Sequence, residues 1–249
     1  MRFTKMHGCG NDFILVDGPW SPDASRVRAL CDRRTGIGAD GVIVVDPVRD
    51  GRWPVTVHNS DGSIADACGN GYRCVGRYLL ERHGGDAVVL GTPAGDVRAW
   101  REDGAYALLL PPPRVEDAVT VEHDGATLAG RSVRVGNPNV VLFVDEPNDV
   151  DLERVADAAR ALRGPANVGV AAVRSRDLLS LRVHERGAGE TLACGTGSCA
   201  AVAAAIAERH VAAATVAVDV PGGRLRVTPR DDGWVLQGPA ERVFEGTLP

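Results

Sequence analysis

Ala67-Cys68-Gly69-Asn70-Gly71 occurs, in near copy, twice in this chain of 249 residues: it returns 126 positions later as Ala193-Cys194-Gly195-Thr196-Gly197. Val57-His58 precedes the first copy and Val183-His184 the second, at the same spacing to the cysteine. The same offset carries Gly10-Asn11 onto Gly136-Asn137, and each pair leads into an apolar run, Phe13-Ile14-Leu15-Val16 and Val140-Val141-Leu142-Phe143. Pro93-Ala94-Gly95 and Pro221-Gly222-Gly223 match at a nearly equal offset. The chain therefore reads as two copies of one unit. In a folded duplicate, equivalent residues face each other across a pseudo-twofold axis, which is expected to set Cys68 opposite Cys194.

Composition narrows what such a duplicate does. Twenty-eight basic and 33 acidic residues leave a net charge of about −5, with the arginines dispersed, so a nucleic-acid partner is not expected. A small-molecule ligand is the default. No stretch approaches the roughly 20 apolar residues that span a bilayer, and the first residues do not lead into a signal-peptide core. The expectation is a cytoplasmic protein with no membrane partner. Six cysteines are too few for a disulfide framework in a chain this long. Lys5 is the sole lysine and lies outside any phosphate-binding loop, a poor candidate for a pyridoxal-phosphate Schiff base.

The periodicity predicts a hairpin around His7-Gly8-Cys9-Gly10-Asn11-Asp12, a helix over 25–34, and strands over 42–45 and 53–58. A helix follows the first cysteine over 71–83 and stops at Gly84-Gly85; Cys74 on its apolar stripe is packing. Strands over 88–90, 97–100 and 106–110 lead to Pro111-Pro112-Pro113, a break that marks the expected boundary. One domain is thus expected over 1–113, completed by a strand at about 240–249, and a second over 114–239. The second half repeats the plan, with strands over 133–135 and 140–144, a helix over 152–162, strands over 168–173 and 179–183, and an alanine-rich buried helix over 200–209. Short strands over 216–218, 225–227, 235–236 and 243–244 close the chain.

A helix N-terminus carries N–H groups without intrahelical acceptors and a partial positive charge, so it binds carboxylate or phosphate. Glycines at 69, 71, 195 and 197 clear the approach to that backbone. A cysteine at such a helix mouth is expected to ionise below the usual value of about 8.5. Two such helices aimed at one site would hold a carboxylate while its α-carbon lies between two sulfurs. One thiolate takes the α-proton and the opposite thiol returns one to the other face. Inversion then needs no cofactor, provided N–H donors stabilise the enolate-like carboxylate.

Other readings of the same residues stay open. Cys68 with Cys74 and Cys194 with Cys199 have unequal spacings, unlike the short matched pairs of zinc sites, so no metal is expected. A Cys68–Cys194 disulfide is disfavoured in a reducing compartment and would be an inactivating oxidation. His58 and His184 each precede a cysteine by ten residues, but histidines on apolar strands are more often packed than catalytic.

The chain resembles the diaminopimelate epimerase family along essentially its whole length. The resemblance rests on His7-Gly8-Cys9-Gly10-Asn11-Asp12-Phe13, Gly36-Ile37-Gly38-Ala39-Asp40-Gly41, Asn59-Ser60-Asp61-Gly62-Ser63, Cys68-Gly69-Asn70-Gly71-Tyr72-Arg73-Cys74, and the block from Glu185-Arg186-Gly187 through Cys194-Gly195-Thr196-Gly197. It implies an α/β chain of the α+β type, with two pseudo-twofold-related domains, each a curled, mainly antiparallel sheet around a central helix. It implies a cofactor-independent two-base epimerase of LL- and meso-diaminopimelate on the route to lysine and peptidoglycan, acting as a homodimer. Carried over by position, Cys194 and Cys68 are the two bases and Gly69, Asn70, Gly195 and Thr196 hold the reacting carboxylate. Asn11, Asn59, Asn137, Asn167, Glu185 and Arg186 match positions that bind the ammonium groups and distal carboxylate.

Three features depart from the family pattern. Gly136-Asn137-Pro138-Asn139 stands where the family has Gly-Asn-Pro-His, and Ala166-Asn167-Val168-Gly169 where it has Thr-Asn-Val-Glu; the chain is also shorter than typical members. The alternatives are a cysteine-dependent racemase of another amino acid, such as histidine or a secondary-metabolite precursor, and a non-catalytic amino-acid-binding protein. A proline-racemase-like enzyme shares the paired thiols but has a histidine after its first Cys-Gly, where this chain has Asn70.

Overall fold

The computed structural model describes residues 1–65, 67–212 and 214–248. Pro249, the last residue of the segment expected to complete the first half, lies outside them. The chain divides into two compact units, Met1–Leu109 with Gly238–Pro249, and Leu110–Gln237.

In the N-terminal unit, β1 (Arg2–Gly8) and β2 (Asn11–Asp17) form an antiparallel hairpin. Its two turn residues, Cys9 and Gly10, both have positive φ, 53° and 80°, as the tight turn that matches strand twist requires. Helix α1 (Ala24–Cys31) leads to β3 (Gly41–Val45), parallel to β2, and β4 (Trp53–Asn59) returns antiparallel to β3. Helix α2 (Gly69–His83) crosses to β5 (Ala87–Thr92), parallel to β4, followed by the antiparallel β6 (Gly95–Glu102) and β7 (Ala105–Leu110).

The C-terminal unit repeats this order. An antiparallel hairpin, β9 (Ala126–Val135) with β10 (Asn137–Phe143), is followed by α3 (Leu152–Arg163) and by β11 (Asn167–Ser175), parallel to β10. Then come β12 (Leu178–Glu185), a short β13 (Gly189–Thr191), α4 (Gly195–Ala207), and β14 (Val216–Val220), parallel to β12. The antiparallel β15 (Gly223–Arg230) and β16 (Gly233–Gly238) complete the series. The units differ in where the strand beside the hairpin comes from. Here it is β8 (Arg114–His123), immediately upstream of β9. In the N-terminal unit it is β17 (Glu241–Thr247), which pairs with β1 from the far end of the sequence, Arg2 opposite Thr247.

The strands of each unit pack around its cysteine-capped helix. Helix α2 packs on β1, β2, β5 and β6, and α4 on β8 to β12 and on β14 and β15. Tyr72, Val75 and Leu79 form the buried stripe of α2, which stops at Gly84 with φ 73°. Helix α4 is buried from Gly195 to Ala205, in keeping with a sequence that offers no polar face. Among the described residues, no helix is long and apolar enough to cross a membrane. The fold has the α+β character that the resemblance implies and the duplication that the repeat implies, two units of like strand order, each with a central helix.

Candidate active site

Both repeated cysteines are helix N-caps with extended backbone, Cys68 at φ −146° before α2 and Cys194 at φ −127° before α4. In each, the sulfur accepts the N–H of the residue three positions on, Gly71 and Gly197, at 3.4 Å. This is the geometry in which a side chain satisfies one of the open donors of the first turn. The third-position glycines are needed for space. A Cβ on Gly71 would lie 3.0 Å from the Cys68 sulfur and 2.8 Å from Ile43, and one on Gly197 3.3 Å from the Cys194 sulfur and 3.1 Å from Val183. Gly69, Asn70, Gly195 and Thr196 form the opening residues of the two helices, all buried, while Cys68 is half-buried.

In the N-terminal unit the surroundings are charged. Asn70 donates to Asn11 Oδ1 at 3.2 Å and accepts from the fully buried Arg73 at 2.7 Å. Arg73 also reaches the carbonyls of Gly69 (3.4 Å) and Pro239 (3.3 Å). Asn11 donates in turn to Asp40 at 2.8 Å. Arg33 bridges Asp40 and Asp12, and Asp12 pairs with the buried Lys5 at 2.6 Å. Burial favours the neutral carboxyl of Asp12, but hydrogen bonds and charge from Arg33 and Lys5 outweigh it and hold the group at about 2. Lys5 therefore serves as a structural cation that also donates to the Gly38 carbonyl. Asn59 sits at the end of β4, exposed, donating to Ser63 at 2.9 Å; its neighbour Ser60 donates its N–H to the Asp40 carbonyl at 3.0 Å.

In the C-terminal unit the surroundings are mostly neutral. Asn167 accepts the Arg186 N–H at 2.9 Å and turns its amide nitrogen to Asn139 Oδ1 (3.5 Å) and the Cys194 sulfur (3.9 Å). Asn139 donates to the backbone and side-chain oxygens of Asn137, at 3.0 and 3.2 Å. Thr196 Oγ1 lies 3.6 Å from the Cys194 sulfur, and Glu185 accepts from Thr191 at 2.7 Å.

The expected low thiol pKa is corrected at Cys194. Burial of this residue, 4% exposed, pushes its thiol well above the ordinary value, and the neighbouring Glu185 carboxylate adds to the rise. The Thr196 hydroxyl and Gly197 N–H oppose the rise without overcoming it. Cys74 is fully buried and pushed up to about 12 by burial, the packing role read from its position. His58 is buried in β4, which depresses its pKa. His184 Nδ1 accepts from Arg160 at 2.8 Å, because a guanidinium only donates. Among the described residues, no group of three or more His, Cys, Asp or Glu is arranged to hold a metal ion.

Arg73, Asp40 and Arg33, which tie the Cys68 side together, were not singled out from the sequence. A fully buried arginine one turn into a helix leaves only a weak trace in a chain rich in arginines. Asp40 and Arg33 act through pairings that periodicity does not reveal.

A family model described as diaminopimelate epimerase matches residues 3–108 and 131–243. A diaminopimelate epimerase of Phenylobacterium zucineum is 40% identical, with 99% of this chain and 97% of that protein covered. An O-ureido-serine racemase of Streptomyces lavendulae is 38% identical, covering 100% and 95%. Among solved structures, a predicted epimerase of Pseudomonas aeruginosa superposes with a TM-score of 0.76 at 16% identity, covering 99% and 98%. A probable proline racemase of Agrobacterium radiobacter gives 0.76 at 15%, covering 100% and 92%; both share the fold. With a matching model over both halves, full-length relatives near 40% identity and one cysteine-capped, glycine-opened helix in each unit, the chain belongs to the diaminopimelate epimerase family.

Proposed function

We propose that this protein interconverts LL- and meso-2,6-diaminopimelate by two-base proton transfer without a cofactor. The observation that carries the reading is the pair of equivalent thiols, each accepting the third-position N–H of a glycine-opened helix at 3.4 Å. The thiolate of Cys194 takes the α-proton of the LL isomer, and the C–H electron pair moves into the carboxylate as an enediolate. N–H groups of the first helical turns, at Gly69-Asn70 and Gly195-Thr196, stabilise that charge where it develops. The Cys68 thiol then delivers its proton to the opposite face, so the two sulfurs exchange protonation states in each turnover and the reverse reaction restores them.

The buried setting of Cys194 suits the base. A thiolate that is harder to form is also more basic, which brings it closer to the weakly acidic α-C–H. Arg186 suits the distal carboxylate through a bidentate contact, and the amide groups of Asn11, Asn59, Asn137 and Asn167, with Glu185, suit the ammonium groups and the rest of the polar substrate. The reading includes a cytoplasmic location and a homodimer; light scattering of the purified protein tests the dimer.

A second reading has the same chemistry and another side chain. It is favoured by the 38% identity to an O-ureido-serine racemase over the whole chain and by Asn139 where the family pattern has histidine. Proton NMR in D₂O under reducing conditions separates the two. LL-diaminopimelate, O-ureido-serine, histidine, lysine, glutamate and proline are each followed for α-proton exchange and inversion. Exchange with inversion confined to diaminopimelate supports the first reading; exchange confined to another amino acid replaces its substrate. Cys68→Ala and Cys194→Ala are each expected to lower inversion by about 10³-fold or more, and inversion persisting in both would overturn the two-base mechanism.

A further inference from the structure

Asn139 lies on β10, 3% exposed, with both ends of its carboxamide engaged. The polarity of the surrounding amides is forced from two directions. A backbone N–H only donates, so the bond from Arg186 N–H to Asn167 makes the Asn167 contact an oxygen and sends its amide nitrogen toward Asn139 and Cys194. A backbone carbonyl only accepts, so the Asn137 carbonyl makes its Asn139 contact a nitrogen and leaves the Asn139 oxygen toward Asn167. The two constraints agree, and three side chains are locked in one orientation. The same nitrogen of Asn139 holds Asn137 Oδ1, so the donor end of Asn137 is the one turned away from Asn139.

We propose that Asn139 is a positioning residue: together with the Arg186 N–H it holds Asn167 with its amide N–H₂ group directed at the Cys194 sulfur, and it sets Asn137 with its own donor end turned away from Asn139. The inference rests on the reading of Cys194 as a proton-transferring thiol. It assigns Asn139 a role that acts through Asn137 and Asn167. An amide has no ionisable proton near neutrality, so this orientation holds unchanged over the range in which a thiol ionises. Glu185, from the end of β12, is a titratable group that raises the pKa of the same sulfur.

Three variants of the full chain test the role: Asn139→Asp, which keeps the shape but puts an oxygen against the Asn137 oxygens, Asn139→Ala, and Asn139→His. The readouts are the ionisation midpoint of Cys194, followed by NMR of [¹³Cβ]cysteine-labelled protein, and the α-proton exchange rate with substrate. Asn139→Asp and Asn139→Ala are expected to raise the Cys194 midpoint by about one pH unit, since they loosen a donor to the thiolate, and to lower kcat for exchange about tenfold or more. Asn139→His can donate to Asn137 and accept from Asn167 only while neutral. It is expected to exchange protons within a few-fold of the natural protein at pH 8 and to lose that rate relative to it below about pH 6.5. A midpoint within about 0.3 pH unit and an exchange rate within twofold of the natural protein in both Asn139→Asp and Asn139→Ala would overturn the inference. Should those two fail to fold, an Asn139→His profile parallel to that of the natural protein overturns it instead. Failure of the functional reading is distinct: it appears as no exchange by the natural protein with any amino acid, while the Cys194 midpoint still decides the role of Asn139.

Discussion

The two cysteine-capped helix ends share a geometry and differ in what holds them. At Cys68, one turn into the helix, stands Arg73, a guanidinium with no solvent exposure; the equivalent position after Cys194 is Cys199, a small apolar side chain equally buried. From Arg73 the N-terminal network runs through Asn70 and Asn11 to Asp40, Arg33, Asp12 and Lys5. The C-terminal network is a short run of amides, Asn137, Asn139 and Asn167, ending on a backbone N–H. Duplication preserved the part that the helix backbone itself dictates, a sulfur on the third N–H, and left each unit to support it with different chemistry. Ionic support reaches far and titrates; amide support is local and does not.

The largest break in this comparison comes from its charged member. Arg73→Met leaves the Asn70 oxygen and the Gly69 and Pro239 carbonyls without the buried donor and is expected to cost about 3 kcal/mol or more in urea unfolding. Cys199→Ala, at the equivalent position, removes one sulfur and is expected to cost about 1 kcal/mol. Equal losses would mean that the two helices rest on packing alone.

Acid separates the units next. Asp12 is depressed in the folded state, so its contribution is complete above the unfolded value near 4 and is lost as pH falls through about 2. The loss amounts to about 2 kcal/mol. Hydrogen exchange between pH 5 and 2 is expected to expose β1 and β2 before β10 and β11, and Asp12→Asn is expected to remove that difference. Simultaneous exposure in the natural protein would deny the ionic network its role.

The glycines sharpen the comparison at the sulfurs. Gly71→Ala meets Ile43 and Cys68 more tightly than Gly197→Ala meets Val183 and Cys194. Alanine favours the helix by about 1 kcal/mol, so stability should change little while kcat falls about tenfold for Gly71→Ala and a few-fold for Gly197→Ala. Thr196→Val, which removes the hydroxyl 3.6 Å from the sulfur, is expected to be the mildest. It should raise the Cys194 midpoint in ¹³C NMR by a few tenths of a pH unit and leave urea unfolding unchanged.

What was legible in the sequence was whatever repeats or alternates. The twin cysteine motifs announced the duplication and both central helices, and Val27, Leu30 and Cys31 marked the buried side of α1. Strand β8 escaped because a bulge between Val115 and Ala118 interrupts its alternation; Asp124-Gly125, a turn signal after Val119 and Val121, was the trace it left. The thiol shift at Cys194 escaped because a helix end is visible in a motif and depth is not. Lys5 shows the same limit: its ion pair with Asp12 joins adjacent strands of one hairpin, yet nothing in either residue's neighbours says that the ammonium is buried.

Strand β17 has a consequence for how the molecule comes into being. The outer edge of the N-terminal sheet is filled only when residues 241–247 reach β1, more than 200 positions after β1 is made. On a ribosome, the C-terminal unit has all its strands in hand first, and the N-terminal one waits with an open edge. Such distant pairing slows folding and leaves an unpaired strand for other chains to find. A nascent chain stalled before residue 241 is thus the species in which misassociation should begin.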